Sequence, residues 1–416
     1  MNEKILIVSN NPLSLTRNNG KTIASFLEGV PCQQVRQLYF HSEKPSVQGY
    51  SYYQLSDRQV LSGWFRSSRR GAPCTAEGCA GDNQTANAGA QSTVQPNAAT
   101  RLVRELVWLG HWKSTRLLNW LEEFCPDIVF FVAGDAGFAY NIVHYIVKRF
   151  HSKLFTYITD DYIMPRRHET LLEKCRRLLI RKKMVNCMKV SDRYFTISEK
   201  MQQAYRDLSG KESQILMNMT PSLKLADGAY PQRQEKDAIV MVYAGSLYYQ
   251  RDRILGKVAD AAAQYHARTG KAVNIQVYSN QEPDDAMKRN FLRENVCAYC
   301  GSLSYEALKV KLNQADVLLF VEAFDEDMQE KTKYSLSTKV TEYLSVGKPI
   351  FAVGPKDIGS MDYLEGVAFC AYDENEIAPV LDAMLTDEDE QARRGQKALE
   401  KFENCCTKEK QPKLFS

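Results

Sequence analysis

The residues best equipped for chemistry cluster around Lys339 and Glu342. In Ser337-Thr-Lys-Val-Thr-Glu-Tyr-Leu-Ser-Val-Gly-Lys-Pro349, Ser337 is a candidate N-cap, and Val340, Tyr343 and Leu344 recur at helical spacing. Gly347 closes the helix and Pro349 opens the strand Ile350-Phe-Ala-Val353. Unpaired N–H groups at the helix start, its dipole and the Lys339 ammonium suit a phosphate or diphosphate. Glu342, about one turn further on, would stand beside the same ligand. Asp135, Asp160 and Asp161 follow apolar runs that read as strands, where carboxylates either face a ligand or cap the next helix. Gly20-Lys-Thr22 opens another helix as a glycine loop, but a nucleoside-triphosphate loop needs a glycine where Leu15 stands. Cys297-Ala-Tyr-Cys300 has no second pair near it, so core packing outweighs a zinc reading and no metal site is expected.

These residues need a scaffold, and the composition bounds it. The chain has 416 residues, 44% hydrophobic and 25% charged, which predicts two to three soluble globular domains. A net charge of +4 from 54 basic and 50 acidic residues is too small to imply nucleic acid. The apolar run near Met1 is too short for a secretory leader and no run is long enough to span a bilayer, so a cytosolic protein is expected. Eleven cysteines then read as reduced thiols.

The first half alternates strands and helices: Lys4–Val8, Asp127–Val132, Lys153–Ile158 and Tyr194–Ser198 as strands, with an aromatic helix around Trp108, Trp112 and Trp120. Residues 67–100 hold almost nothing large and apolar, and read as a mobile insertion with Cys74 and Cys79 as exposed thiols. Arg166–Lys189 is a basic amphipathic helix in which Leu171, Leu172, Cys175, Leu178, Leu179, Val185 and Met188 fall at helical spacing. Two readings compete there, a packed helix with a solvated charged face or a surface that meets anionic lipid. Residues 1–220 form one domain and 221–237 a linker without apolar period. Residues 238–386 form a second domain and 387–416 a charged helical tail, with Leu399 and Phe402 as anchors. The expected class is α/β, two Rossmann-like doubly wound domains facing across a cleft.

The strand, glycine turn and helix carrying Gly245 and Arg251, then Gly301-Ser-Leu303, Ala315-Asp-Val-Leu-Leu319 and Ser337 to Ile350, resemble the donor domain of GT-B glycosyltransferases, those similar to family four. The likeness covers Ala238 to about Leu385. The first half, with its Gly20 loop, resembles the acceptor domain less specifically. The resemblance implies transfer of a sugar from a nucleotide diphosphate sugar to a glycan or lipid-linked acceptor, with retention and without a required metal or cofactor. It implies that Glu342 binds the ribose and that Ser337, Thr338, Lys339 and Val340 receive the diphosphate. Arg251, with Arg253 second, would neutralise the leaving group, and the base would lie near Ser279, Gly301, Ser302 and Leu303. The resemblance also permits the tail to cross back onto the first domain. The short apolar runs and the basic helix together lead us to expect a cytoplasmic protein, or one peripheral on the inner membrane face.

Two departures stand out. Family members often carry a second glutamate where this chain has Tyr334, and Glu322 or the acidic loop Asp325-Glu-Asp327 are the candidate substitutes. A histidine often follows the strand that here leads into Thr159-Asp-Asp161, so Asp160 and Asp161 are the candidates to position the acceptor or stabilise an oxocarbenium-like centre. A GT-B nucleotide-sugar epimerase or hydrolase, and a noncatalytic binding subunit, remain open alternatives.

Overall fold

A computed structural model describes residues 3–15, 18–63, 70–76, 98–217, 221–226, 238–412 and 414–415. They divide into two compact units, Met1–Leu216 with Pro412–Ser416, and Met217–Gln411.

The first unit is built on eight strands: β1 (Ile5–Ser9), β2 (Val35–Tyr39), β3 (Ser51–Gln54), β4 (Ala72–Cys74), β5 (Ile128–Ala133), β6 (Lys153–Ile158), β7 (Arg193–Thr196) and β8 (Gln214–Ile215). Their order is β4-β3-β2-β1-β5-β6-β7-β8, parallel except where β4 pairs antiparallel with β3. The order reverses at β1, which pairs with both β2 and β5, so the carboxyl ends of β1 and β5 flank a switch point. Every residue of β1 and β5 is buried, which explains their unbroken apolar runs. Trp108 stacks on Phe138 with ring centroids 3.8 Å apart.

The second unit has six parallel strands, β9 (Ala238–Ala244), β10 (Ala272–Tyr278), β11 (Cys297–Tyr299), β12 (Val317–Val321), β13 (Ile350–Val353) and β14 (Phe369–Ala371). The order β11-β10-β9-β12-β13-β14 reverses between β9 and β12. Both units are therefore doubly wound α/β sheets, the class expected from the alternating elements. Cys297 packs in the second core, while Cys300 beyond the end of β11 is exposed.

Several expectations change. The aromatic stretch is two helices, Ala98–Trp108 and Thr115–Phe124, separated by a turn in which Gly110 takes φ +73°. Within the supposed insertion, Ala72–Cys74 pairs with β3, and the Cys74 thiol lies 3.3 Å from the Tyr39 hydroxyl, so Cys74 belongs to the fold. Cys79 lies outside the described residues. The first part of the supposed linker is tied down, because Asn313 accepts from Leu225 N–H and donates to Leu223 O, and Ser345 Oγ accepts from Leu223 N–H. Residues 227–237 lie outside the described residues.

The tail helix Glu388–Cys405 packs on the helix Thr338–Val346, with Leu399 against Gly347 and Phe402 buried. Only Pro412–Ser416 joins the first unit, where Phe415 meets Phe130 edge-on and Arg193 donates to Leu414 O.

The basic helix spans Leu171–Val190 and starts with a Thr170–Glu173 capping box. Its apolar residues are split, contrary to a single packed stripe. Ile180, Met184, Cys187 and Met188 face inward, whereas Leu171, Leu172, Leu178 and Leu179 are exposed. The inward face near the helix start is polar instead. Arg177 is buried against Glu169, and Arg176 and Lys183 reach Asp135 and Gly137 O. These charged contacts occupy the inward face there, and Leu171, Leu172, Leu178 and Leu179 lie outward.

Candidate functional site

Most of the residues expected to bind a donor meet at the carboxyl edge of the second sheet. A glycine turn follows β9, Ser279 follows β10, Gly301 follows β11 and Glu322 follows β12, so parallel pairing alone gathers them at one end. The helix Thr338–Val346 packs Val340, Tyr343 and Leu344 into the core, and Gly347 ends it at φ +76°. The Tyr343 hydroxyl anchors this helix to the sheet by accepting from Ala244 N–H at 2.9 Å.

At the helix start, Ser337 N–H donates to Ser360 Oγ and Val340 N–H to Ser337 O. Val340 thus has no free N–H for a diphosphate, because the first turn closes on itself. Among the described residues, the N–H groups of Thr338 and Lys339 have no protein acceptor and carry the positive end of the dipole.

Lys339 lies across Gly245, where a β-carbon would overlap the lysine Cε and sit 2.8 Å from the Tyr243 hydroxyl. Among the described residues its ammonium has no hydrogen-bond or ion-pair partner. Burial, and then repulsion from Arg251, hold its pKa below the ordinary lysine value, while Glu342 and Glu322 pull the other way.

Arg251 is the first residue of the helix Arg251–Thr269. Its Nε and Nη2 donate to Glu322 at 2.7–3.0 Å. Glu322 is therefore a partner of Arg251, not a second carboxylate free for the sugar. The acidic loop instead caps the helix Glu326–Thr332, with Asp325 accepting from Met328 N–H. Arg253 does not join the cluster. Two residues on is about 200° around a helix, and Arg253 is exposed and bonded to Gln250.

Around the proposed base position, Ser279 N–H donates to Gly301 O, and the Tyr299 hydroxyl donates to Ser279 O. Ser302 is exposed and Leu303 half-buried in the loop that leads to Tyr305, whose phenol pKa is pushed up first by burial and then by the nearby charge of Glu342. Tyr305 was not singled out in the sequence, and its place just after Gly301-Ser-Leu-Ser304 was the available signal.

In the first unit the two aspartates differ. Asp161 is buried, and its Oδ1 accepts from Ile163 N–H, Met164 N–H and the Tyr205 hydroxyl, so it closes the loop after β6. Asp160 is half-buried beside Thr159, which also accepts from Asn19. Asp135 is occupied by Arg101 and Arg176. Gly20 lies inside the helix Asn18–Phe26, where a β-carbon would collide with Pro12 O, so close packing explains it. Among the described residues no cluster of His, Cys, Asp and Glu forms a metal site.

Two doubly wound units in succession, the second with the start of the helix Thr338–Val346 at its switch-point edge, have the GT-B fold. No family model and no curated protein matches the chain. Among solved structures it is similar to a trehalose-6-phosphate protein from E. coli bound with UDP-2-fluoro glucose, at TM-score 0.62 and 14% identity over 97% of this chain and 96% of that one. It is similar to WaaG, a glycosyltransferase involved in lipopolysaccharide biosynthesis, at TM-score 0.58 and 10% identity over 96% and 95%. It is also similar to an α,α-trehalose-phosphate synthase (UDP-forming) from Burkholderia xenovorans in complex with glucose-6-phosphate, at TM-score 0.58 and 11% identity over 96% of each chain. At these identities the likeness is one of fold.

Proposed function

We propose that the chain is a glycosyltransferase that moves a sugar from a nucleotide diphosphate sugar to a glycan or lipid-linked acceptor, with retention and without a metal. The observation that carries this is the unpartnered Lys339 ammonium, set beside Arg251 and two open helix-end N–H groups. A departing nucleoside diphosphate develops negative charge, and fixed cations and N–H dipoles in place before reaction lower that barrier. Here these groups supply the neutralisation that a metal supplies elsewhere. Glu342 holds the ribose, and the Ser279–Gly301 turn receives the base. On the acceptor side we assign positioning to Asp160, whose Oδ2 accepts from the Thr159 and Tyr162 hydroxyls, rather than to buried Asp161, whose Oδ1 holds the loop after β6 and Tyr205. The similar structure bound with UDP-2-fluoro glucose supports the donor half of this reading.

The acceptor we favour is lipid-linked, presented at an anionic membrane surface. Leu171 and Leu179 are 79% and 55% exposed, and Lys174, Lys182 and Lys189 lie exposed on the same helix. The helix Ala98–Trp108 packs beside it and exposes Val103 and Leu106, with Leu109 just beyond. Apolar side chains set among lysines match a bilayer interface. This reading places the protein in the cytoplasm or on the inner membrane face.

The test is turnover of a panel of nucleotide sugars with lipid extract as acceptor, compared with K339A and E342A. Transfer that both variants abolish is expected. Absence of binding and turnover for every donor would overturn the assignment, and an epimerised or hydrolysed product alone would identify one of the other GT-B chemistries.

A further inference from the structure

Glu322 sits where a bare anion site would have no carboxylate. Its backbone is fixed by the sheet, with its N–H donating to Val353 O at 2.8 Å, and its side chain is 4% exposed. It grips Arg251 along one edge only, through Nε and Nη2. Nη1 has no hydrogen bond among the described residues. Arg251 is itself nearly buried and close enough to Lys339 for the two charges to repel. Two cations placed together out of water, with no anion between them, would be costly to fold.

We propose that Glu322 is a positioning residue that sets how tightly the site holds a nucleoside diphosphate. The carboxylate does two things. It locks the guanidinium in one orientation, turning Nη1 outward from the pair, as an Arg–carboxylate fork does through its planar geometry. It also cancels one of the two positive charges at all times. A diphosphate arriving at Lys339 and Arg251 meets a net charge of about +1 from these three groups instead of +2. Binding is weaker than two free cations would give, and the product, which carries more charge on its terminal phosphate than the donor, is the species most affected. Glu322 thus trades affinity for release of the leaving group.

This inference rests on the nucleotide-sugar reading, and the experiment separates the two. Binding of UDP, GDP and ADP to the full chain is measured by calorimetry for the wild type, E322Q, R251M and R251M/E322M, with melting temperatures alongside. E322Q keeps the shape and one acceptor oxygen for Arg251 but loses the charge. It is expected to bind its preferred diphosphate about tenfold more tightly, and in donor turnover to lower kcat and KM together. A damaged fold would not bind more tightly. If E322Q does not fold, the other pair decides. R251M leaves Glu322 uncompensated against the phosphate, so R251M is expected to bind less tightly than R251M/E322M. Equal or weaker binding by folded E322Q, or equal binding by the two R251M variants, overturns the role of Glu322. Failure of the wild type to bind any of the three diphosphates overturns the nucleotide-sugar reading as well.

Discussion

The side chain of Lys339 occupies the space that a β-carbon on Gly245 would fill. The turn after β9 and the helix Thr338–Val346 are thereby in register, because only glycine lets the lysine lie flat across the turn. Alanine at 245 would push the lysine and the Tyr243 hydroxyl aside, and the flexible end of a lysine moves at small cost. G245A should therefore lower diphosphate affinity by about tenfold, roughly 1.4 kcal/mol, with a melting temperature close to wild type. Calorimetry with the preferred nucleoside diphosphate checks this, and unchanged affinity would mean that the lysine does not touch the ligand.

Lys339 should also give binding a pH dependence. Its folded-state pKa lies below 10.5 because burial and Arg251 disfavour the charged form. Between that lowered pKa and the unfolded value the unfolded chain holds more protons, so stability rises with pH in this alkaline window. Binding runs the other way. A bound diphosphate favours the ammonium, so affinity should fall as pH rises through the lowered pKa. K339R should remove that fall, and K339M should weaken binding at all pH while raising the melting temperature. An identical alkaline fall in K339R would assign it to another group.

The two aspartates after β6 should separate stability from activity. D161A leaves the Tyr205 hydroxyl and two backbone N–H groups without their acceptor, and should cost about 2–4 kcal/mol in urea unfolding. D160A should change stability by less than about 1 kcal/mol and reduce transfer to acceptor more than donor binding. The reverse ranking would exchange their roles.

Membrane contact through the helix Leu171–Val190 should depend on both its leucines and its lysines. Replacing Leu171, Leu178 and Leu179 with serine should reduce sedimentation with anionic liposomes, and salt should reduce it further by screening the lysines. These leucines are exposed, so the triple variant should melt within a few degrees of wild type. Binding unaffected by both changes would remove this surface.

If Arg251, Lys339 and the helix-end N–H groups carry the neutralisation, as proposed, transfer should survive dialysis against EDTA. Loss of activity restored by a divalent cation would overturn the metal-independent part of the proposal.

Much of the site was legible in the chain because its signals are local. Ser337, Gly347 and Pro349 mark a helix and a strand within a few residues, and the observed helix Thr338–Val346 and strand Ile350–Val353 follow that pattern. The apolar runs of β1, β5 and β12 were equally plain, since strands buried on both faces need no alternation. Sequence by itself thus determined the α/β class, the repeated doubly wound grammar and the anion-suited helix start.

Only the tertiary structure decided which charges are free. Arg251 and Glu322 are far apart in sequence, and their pairing arises because parallel strands bring the residues after β9 and β12 to one sheet edge. The same arrangement leaves the Lys339 ammonium without a hydrogen-bond or ion-pair partner among the described residues. In the basic helix, periodicity could not tell that Arg177 would be buried by Glu169 while Leu178 and Leu179 turned outward. Charge satisfaction is a long-range property of the packed chain, and residue spacing along one helix does not contain it.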